Sequence, residues 1–338
     1  MKDLVIGDIH FGIKTNSKSW LEFQTRFFTE QIIPQIQKND YDRVVFLGDI
    51  FDSRYSVNEE VGCTIKNLFR KMLDSNKDKQ FYFVAGNHDY YCPMIEFDNI
   101  NAYELVFGEE FMYCHPNAHF ITTDYLYQDE TLFLPWYWTE DDSRWQTVTH
   151  DVKDAKLIYC HSNLCEWDIG KIASKNKAIV LSGHIHYPWQ NPDSLLWNLG
   201  ASCALNFNDV NTSRYIYEVV DGVVIDKIEN ITTPKFRRFY NEEIFALSAE
   251  DFENSFVQLC INNSNVNKAR YIEQVKYLKN EYVGCNIKVN VIDESVLTTN
   301  NELIDLNTDI TAYIEEHIPD HLTPKYQQIK EKLSNEIE

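Results

Sequence analysis

The sequence lacks long apolar runs, paired cysteine motifs and a recognisable leader. No apolar run of about 18 residues occurs in its 338 positions, so no membrane-spanning helix is expected. The opening Met1-Lys2-Asp3 leads directly into a strand-like segment and does not resemble a signal peptide, which predicts a cytoplasmic protein. The eight cysteines form no CxxC pair, and this favours reduced thiols over a disulfide framework.

Basic residues are scarce relative to acidic ones. The sequence has 31 lysines and arginines against 52 aspartates and glutamates, which gives a net charge of −21. A net negative charge does not attract the phosphates of nucleic acid. An enzyme of this composition that acts on nucleic acid therefore needs a local basic patch, bound cations or a basic partner. The hydrophobic content of 44% is ordinary for a globular protein and argues against a disordered chain.

Short β-rich segments alternate with helical patterns in the first half of the chain. Helices are predicted over residues 20–37 and 58–73, and Ser56 with Glu59 resembles a capping box for the second. This alternation predicts an α/β fold with a mainly parallel or mixed sheet flanked by helices. The predicted strands are 4–7, 43–48, 81–86, 157–161 and 179–183.

Two hairpins are predicted outside this alternation. One spans residues 120–135 around a turn at 128–130, and the other spans 215–228 around Asp221-Gly222, a dipeptide that favours a two-residue turn. Both hairpins are expected to extend a second sheet.

The chain is expected to divide into residues 1–231, a linker at 232–240, and a C-terminal domain at 241–338. For the C-terminal domain the pattern predicts a helix at 268–282, a strand at 286–292, and helices at 303–318 and 324–337.

A polar side chain follows each of the five predicted strands. In an open α/β sheet ligands bind outside the carboxyl ends of the strands, so these side chains are expected to converge at one edge. Each motif alone is weak evidence, whereas the ordered combination is specific. The side chains are Asp8 and His10; Asp49 and Asp52; Asn87, His88 and Asp89; His161; and His184 and His186.

These residue types indicate the kind of metal and the kind of reaction. Imidazole with carboxylate suits first-row ions such as manganese, iron, cobalt or zinc, whereas all-oxygen sets suit magnesium or calcium. A carboxylate can bridge two such ions about 3.5–4 Å apart, the arrangement used for phosphoryl transfer. A nearby imidazole can then protonate the leaving oxygen.

The order of the motifs resembles that of the calcineurin-like metallophosphoesterases: Asp8-x-His10, Gly48-Asp49-x-x-Asp52, Gly86-Asn87-His88-Asp89, His161 and Gly183-His184-x-His186. The resemblance implies a two-sheet α/β sandwich with a binuclear metal centre, in which Asp49 bridges. It implies that His88 protonates the leaving group and that Asp89 orients His88. The implied ligands are Asp8, His10, Asp49 and His186 for one metal, and Asp49, Asn87, His161 and His184 for the other.

A narrower resemblance covers almost the whole chain. The sequence is similar to the nuclease subunit of double-strand-break repair nuclease–ATPase complexes, of the bacterial SbcD type and the T-even-phage type. This implies manganese-dependent exo- and endonucleolysis of DNA, a homodimer, a small α/β C-terminal capping domain, and an SMC-like ATPase docked on the C-terminal helices. The matching segments are Gly48-Asp49-Ile50-Phe51-Asp52-Ser53-Arg54, Leu134-Pro135-Trp136, Gly200-Ala201-Ser202 and Arg237-Arg238.

Asp52 and Arg54 are the candidate contacts to the substrate. Many relatives carry histidine at the position of Asp52, which leaves the balance of exonuclease and endonuclease activity open. Two further functions also stay open: a small-molecule phosphodiesterase or phosphatase on the same fold, and a metal-holding scaffold without turnover.

Several other residues have both a functional and a structural interpretation. Tryptophans 136, 138 and 145 either stack on an unpaired base or pack in the core. The apolar stripe at residues 303, 306, 310, 313 and 314 either packs internally or offers a groove to a partner. The cysteines at 160 and 165 are expected in the core, the histidines at 115, 119 and 150 are expected to be structural or exposed, and Lys14, Arg237 and Arg238 are minor candidates for phosphate contacts.

Overall fold

The computed structural model describes residues 1–91, 100–137, 144, 147–148, 154–162, 177–190, 195–210, 212–262, 268–282 and 285–292. The strands within these ranges are β1 Lys2–Ile6, β2 Arg43–Phe46, β3 Gln80–Val84, β4 Ala118–Ile121, β5 Leu126–Gln128, β6 Thr131–Leu134, β7 Leu157–His161, β8 Ile179–Gly183, β9 Trp189–Gln190, β10 Leu196–Asn198, β11 Tyr215–Val220, β12 Val223–Glu229, β13 Lys235–Tyr240, β14 Ser255–Asn262 and β15 Asn286–Ile292.

The first long helix, α1, changes its hydrogen-bonding pattern along its length: it consists of Lys18–Arg26, a π-helical part Phe27–Ile32, and Ile33–Lys38. A short turn, Ile13–Asn16, precedes it and contains residues with positive φ. The remaining helices are α2 Glu59–Asp74, α3 Ala102–Val106, α4 Gly108–Cys114, α5 Ala249–Phe252 and α6 Lys268–Glu281, with 3₁₀ turns at Phe207–Asp209 and Asn241–Phe245.

Two six-stranded sheets form the main part of the fold. The first has the order β12-β11-β1-β2-β3-β4, and the second has the order β5-β6-β7-β8-β10-β9. Strands β1 to β4 run parallel, as do β6, β7, β8 and β10. A third sheet has the order β13-β14-β15. The expected mixed α/β fold with two sheets is therefore confirmed.

Alternate residues of the central strands enter two different cores. In β1, Leu4 and Ile6 belong to the core that α1 and α2 cover, whereas Val5 belongs to the core between the two sheets. The ring of Tyr82 on β3 stacks on that of Phe133 on β6, with centroids 4.1 Å apart. Because both faces of these strands are buried, their sequences are nearly continuous apolar runs.

A buried ion pair lies among the strands of both sheets. Arg43 on β2 donates to both carboxylate oxygens of Asp3 on β1, at 2.8 and 2.6 Å, and to the hydroxyl of Thr131 on β6 at 2.9 Å. The Tyr159 hydroxyl on β7 donates to Asp3 at 2.6 Å. Each charge is thus matched by several hydrogen bonds, which is the condition under which a buried pair is tolerated.

The structure corrects several predicted elements. The N-cap of α2 is Asn58, whose side chain accepts from the backbone of Glu60 and Val61, so Ser56 is not the cap. The segment predicted as the first strand of the 120–135 hairpin is split: β4 joins the first sheet, and β5 pairs with β6 in the second. The turn 122–125 separates them.

The second predicted hairpin forms, but in a different sheet. Strand β11 pairs antiparallel with β1, so this hairpin extends the first sheet instead of the second. Most of the predicted linker at 232–240 is strand β13. This strand pairs with β14 and contains the buried Phe236. The predicted helix at 268–282 and strand at 286–292 are present as α6 and β15.

The chain divides into two compact units. The first comprises Met1–Arg238, Ser248–Val257 and Gly284–Asn286, and the second comprises Phe239–Leu247, Gln258–Val283 and the sequence from Ile287 onward. In the second unit Tyr271 of α6 packs on Phe245 and donates to Glu242 at 2.7 Å. The two predicted C-terminal helices lie outside the described residues. No described helix has the length and apolar character needed to cross a bilayer.

The Arg43→Ala change should destabilise the protein by about 3–5 kcal/mol, because it leaves the Asp3 carboxylate buried without a counter-charge. Urea unfolding in the presence of a chelator measures this free energy without a contribution from metal binding. The matched control is Arg26→Ala, whose exposed pair with Glu30 should contribute less than about 1 kcal/mol. Equal losses in the two variants would contradict the structural importance of the buried pair.

Candidate metal centre

The carboxyl ends of five strands, three from the first sheet and two from the second, bring the predicted side chains together. Strands β1, β2 and β3 of the first sheet and β7 and β8 of the second each end directly before, or on, one of the motifs. The ends of the two sheets are joined there, because His161 Nδ1 donates to the Leu47 carbonyl oxygen at 2.7 Å. A site is thus built from both sheets.

One cluster consists of Asp8, His10 and His186. Each offers a ligand atom, and these atoms lie within 4.8 Å of one another. His10 Nε2 faces His186 Nε2 at 3.1 Å, and the latter lies 4.0 Å from Asp8 Oδ2. Asp8 and His10 are buried, whereas His186 is partly exposed. This cluster therefore has an open side.

A second cluster consists of Asp49, His161 and His184, again with ligand atoms within 4.8 Å. The Asn87 side chain completes it, because its Oδ1 lies 3.0 Å from both His161 Nε2 and His184 Nδ1. Two ring nitrogens and one amide oxygen thus point at the same small volume.

The Asp49 carboxylate lies between the two clusters. Its Oδ2 is 3.7 Å from His10 Nε2 of the first and 3.4 Å from His161 Nε2 of the second. Its Oδ1 accepts a hydrogen bond from the backbone N–H of His88 at 2.8 Å, which fixes the orientation of the carboxylate. One oxygen of Asp49 is therefore within reach of both groups of nitrogens, the position of a bridging ligand.

A family model described as calcineurin-like phosphoesterase matches residues 1–188, more than half of the chain, and this range contains every ligand candidate above. The chain belongs to the calcineurin-like phosphoesterases. A search of curated proteins found no significant match. The family consists of metal-dependent phosphoester hydrolases that typically use two metal ions.

The donor atoms of this phosphoesterase fit a pair of divalent ions. Two nitrogens that bind one ion at about 2.1 Å lie roughly 3.0–3.4 Å apart. The 3.1 Å between the His10 and His186 nitrogens falls in that range. Four imidazoles with two carboxylates and one amide oxygen suit first-row transition metals better than magnesium or calcium.

Two glycines make the close approach of the ligands possible. A Cβ atom on Gly86 would lie 2.3 Å from Asp49 Oδ1, and one on Gly183 would lie 2.4 Å from Asp8 Oδ1. Both distances are far below van der Waals contact. The glycine before each of these motifs is therefore required sterically, so that the strand end and the neighbouring carboxylate can occupy adjacent space.

Three candidate ligands have left-handed backbone conformations: His10 with φ 54°, Asp49 with φ 47° and His184 with φ 83°. Such conformations cost about 1–3 kcal/mol each for residues with a side chain, and they persist where the surrounding structure imposes them. Here the backbone turns sharply after the strand and directs the side chain back towards the cluster.

The charges of the site perturb one another strongly. Burial, partly opposed by His161, raises the pKa of Asp8 to about 6. Burial acts to lower the pKa of His161, but Asp49 and Asp8 outweigh it and raise that pKa to about 9. Burial lowers the pKa values of His184 and His186 to about 4, and the neighbouring imidazoles add to the effect. Burial acts to lower the pKa of His10 as well, but Asp52 and Asp49 outweigh it and raise that pKa. In the absence of metal, a proton is thus favoured on His161 and His10 over His184 and His186.

His88 lies next to both clusters, with its ring centroid 5.0 Å from that of His10. Its Nδ1 donates to the backbone carbonyl of Asp52 at 2.5 Å, and the other ring nitrogen, Nε2, takes no part in this hydrogen bond. The Asp52 carboxylate lies 3.4 Å from His10 Nδ1. Asp52 therefore contacts both His10 and His88, and its expected contact with the substrate stays a prediction.

The hydrogen bonds described for Asp89 are to backbone N–H groups and to the Tyr103 hydroxyl, and its expected role in orienting His88 stays a prediction. Asp89 is fully buried, and its two oxygens accept from the backbone N–H groups of Phe51 and Gly86 at 3.0 and 2.8 Å. Burial, reinforced by the charge of Asp49, raises its pKa to about 7. Asp89 thus fixes the loops after β2 and β3 to each other, and the hydrogen bond described for His88 Nδ1 is to the Asp52 backbone.

The remaining candidate residues that the structure describes make contacts with other parts of the fold. The Trp136 ring packs on His184 with centroids 4.6 Å apart, Cys160 is buried, and Arg237 and Arg238 contact Asp251 and the Phe207 carbonyl. His115 Nδ1 donates to the Phe111 carbonyl, and His119 contacts Gln80. Arg54 lines a cleft beside His88. Trp138, Trp145, His150 and Cys165 and the stripe of Leu303, Leu306, Ile310, Tyr313 and Ile314 lie outside the described residues.

Two residues that sequence reasoning missed hold the loop of His186. Arg214, 1% exposed, donates to the His186 carbonyl at 2.7 Å and pairs with Asp209. Asn198 donates to the carbonyls of Ile185 and Tyr187, each at 2.6 Å. Groups that orient a metal ligand from behind contribute to affinity. Arg214, directly before β11, offered no signal of this function, because the His186 carbonyl that it holds is distant in sequence.

Metal binding should tighten as the pH rises from about 6 to about 8, because a metal must displace the protons that the raised pKa values of His161 and His10 favour on these ligands. Each displaced proton increases the apparent affinity by about 10-fold per pH unit. His184 and His186, whose pKa values of about 4 leave them neutral at these pH values, should release none.

Calorimetric titration with Mn²⁺ in two buffers of different ionisation enthalpy counts the protons released. His161→Asn provides the comparison, since it should weaken binding and reduce the proton release, with His10 and Asp8 as the remaining sources of protons. An affinity that is independent of pH would contradict the assignment of His161 as a ligand.

Proposed function

We propose that the chain is a manganese-dependent DNA nuclease that hydrolyses phosphodiester bonds. The observation that carries the proposal is the position of Asp49 Oδ2 between two histidine clusters, with His88 beside them. Asp8, His10 and His186 with Asp49 would hold one ion, and His161, His184 and Asn87 with Asp49 would hold the other. When bound, such a pair of ions polarises a phosphoryl group and supplies an activated water at neutral pH.

His88 acts as the proton donor in this proposal. Because its Nδ1 donates to the Asp52 carbonyl, the imidazolium form carries its available proton on Nε2. Burial lowers the pKa of His88, which makes its imidazolium a stronger acid towards a leaving alkoxide. The sugar oxygen released by phosphodiester cleavage is a poor leaving group and requires this proton.

The preference for DNA over a small ester is supported by the segments that carry the narrower resemblance. They adjoin the site: Trp136 packs on His184, and the Ser202 hydroxyl and backbone N–H donate to the carbonyls of Gly7 and Asp8 at 3.1 and 3.0 Å. The segments on which the expected resemblance to nuclease subunits rests thus include residues that support the ligands, and this supports the proposal.

We further propose that the nuclease works in a recombination or double-strand-break repair complex, as a homodimer with an SMC-like ATPase. The net charge of −21 supports the need for another subunit, since the chain as a whole does not attract DNA. The C-terminal helices proposed to dock the ATPase lie outside the described residues.

Replacing His88 with alanine should reduce cleavage of an end-labelled DNA duplex by about 10²–10⁴-fold, the usual contribution of a general acid. Affinity for Mn²⁺ should change little, because neither proposed ligand set includes His88. Gel analysis of the DNA products and calorimetry of Mn²⁺ binding measure the two properties separately.

The matched control for His88 is His119→Ala, a histidine that contacts Gln80 outside the site and should keep full activity. A small phosphodiester and a small phosphomonoester serve as competing substrates. Turnover of the monoester with intact DNA would instead establish a phosphatase, and unchanged turnover in His88→Ala would exclude the proposed acid.

A further inference from the structure

A cleft lined by tyrosines opens beside His88. One wall comes from the loop after β2, with Arg54, Tyr55 and Val57, and the other comes from Tyr91 and from the start of α3. His88 itself lines the cleft. The backbone N–H of Tyr91 donates to the Ile100 carbonyl at 2.9 Å, and an antiparallel bridge between Tyr90 and Asn101 continues this contact. The second wall is therefore tied together by backbone hydrogen bonds.

The rim of the cleft is unusually apolar for a solvent-exposed surface. Tyr55 is 69% exposed, Tyr91 44%, Ile100 51% and Leu105 71%. The rings of Tyr55 and Tyr91 lie edge to face, with centroids 6.4 Å apart and an angle of 86° between their planes. Clustered exposed aromatic and aliphatic side chains around a concave surface mark a binding site for a flat apolar ligand.

The charge of the cleft differs from that of the chain as a whole. Arg54 is in its wall, and Asp89 is the sole acid among the described lining residues. Asp89 is fully buried, and both its oxygens accept backbone N–H groups. Among the described lining residues, no exposed acid thus opposes the approach of a polyanion to a protein whose net charge is −21.

The cleft lies beside the proposed proton donor, and this position indicates which part of the substrate it would contact. His88 lies beside His10 of the first cluster, which would receive the phosphate, and it also lines the cleft. Since a general acid must contact the leaving oxygen, the group attached to that oxygen extends past His88. For a phosphodiester of DNA this group is a nucleoside, which has a flat aromatic base.

We propose that the tyrosine cleft, formed by Arg54, Tyr55, Val57, Tyr91 and Ile100, binds the unpaired base of the nucleotide on the leaving side of the scissile phosphodiester. The base stacks on the exposed tyrosine rings, as bases do on aromatic side chains that bind single-stranded nucleic acid without sequence preference. This proposal rests on the proposed nuclease function and adds that a terminal or unpaired nucleotide is the preferred substrate, because a paired base cannot enter the cleft.

The first test measures base binding without catalysis. The probe is 2-aminopurine deoxynucleoside monophosphate in a chelating buffer, since its fluorescence is quenched when the base stacks on an aromatic ring. Wild type should quench the probe, Tyr55→Ala and Tyr91→Ala should weaken its binding by about 10-fold, and Tyr55→Phe, which keeps the ring, should restore it. The matched control is Tyr113→Ala on α4, which is 88% exposed and outside the cleft, and which should bind as wild type does.

The second test measures the effect of the base on turnover. Thymidine dinucleotides that lack either the 5′ or the 3′ base are hydrolysed with Mn²⁺ beside the intact dinucleotide. In wild type, removal of one of the two bases should lower kcat/KM by about 10-fold, and this difference should fall to about 2-fold or less in Tyr55→Ala.

The outcomes distinguish a failure of the cleft proposal from a failure of the proposed nuclease function. Equal quenching by wild type, Tyr55→Ala and Tyr91→Ala, or an undiminished preference for the intact dinucleotide in Tyr55→Ala, would overturn the cleft proposal even if DNA is cleaved. Quenching that depends on the tyrosines, together with no hydrolysis of any DNA substrate, would support base binding in the cleft and overturn the nuclease function.

Discussion

The Asp49 carboxylate is the group on which the arrangement of the site depends. It is buried, lies within 4 Å of imidazoles from both clusters, and accepts the backbone N–H of His88. Burial acts to raise its pKa, yet the surrounding histidines outweigh this and hold the pKa below its usual value. A buried carboxylate stays ionised only when it is compensated in this way. The clustering of histidines around it is thus an electrostatic requirement, and divalent ions satisfy the same requirement.

The packing of the two sheets provides the rigidity that this charge cluster needs. Alternate residues of the central strands fill two cores, and the Arg43–Asp3 pair ties strands of both sheets together below the site. Left-handed backbone at His10, Asp49 and His184 is unfavourable locally and is sustained by this frame. Helices cover the outer face of the first sheet, so the exposed part of the site is confined to the loops after the strands.

The residues around the ligands divide into those that fix geometry and those that face a substrate. Arg214, Asn198, Asp52 and Asp89 make hydrogen bonds or close contacts behind the ligands and the loops that bear them. In front, His88 is flanked by the tyrosine cleft, where the rings of Tyr55 and Tyr91 are exposed to solvent. An acidic protein can in this way keep a local surface that accepts a phosphodiester, with bound cations and stacking in place of a basic patch.

The order of the motifs along the chain, their positions at strand ends and the chemical type of the site could all be inferred from the sequence. Glycine followed by Asp, Asn or His at four strand ends predicts convergence at a sheet edge, because parallel strands end at the same side. The apolar runs of β1, β2, β3, β7 and β8 are buried in the structure, as is typical of parallel strands covered on both faces. These features depend on neighbours in sequence or on a rule of topology, so they can be inferred without coordinates.

The sheet that each hairpin joins and the atoms that support the ligands could be identified only in the folded structure. The pairing of β11 with β1, the turn of His88 towards a backbone carbonyl, and the clamp of Arg214 on the His186 loop all involve partners that are distant in sequence or carry no side-chain signature. Sequence patterns report burial and local conformation. They contain no information on which buried backbone oxygen a given polar side chain will meet, because that depends on how the two sheets pack.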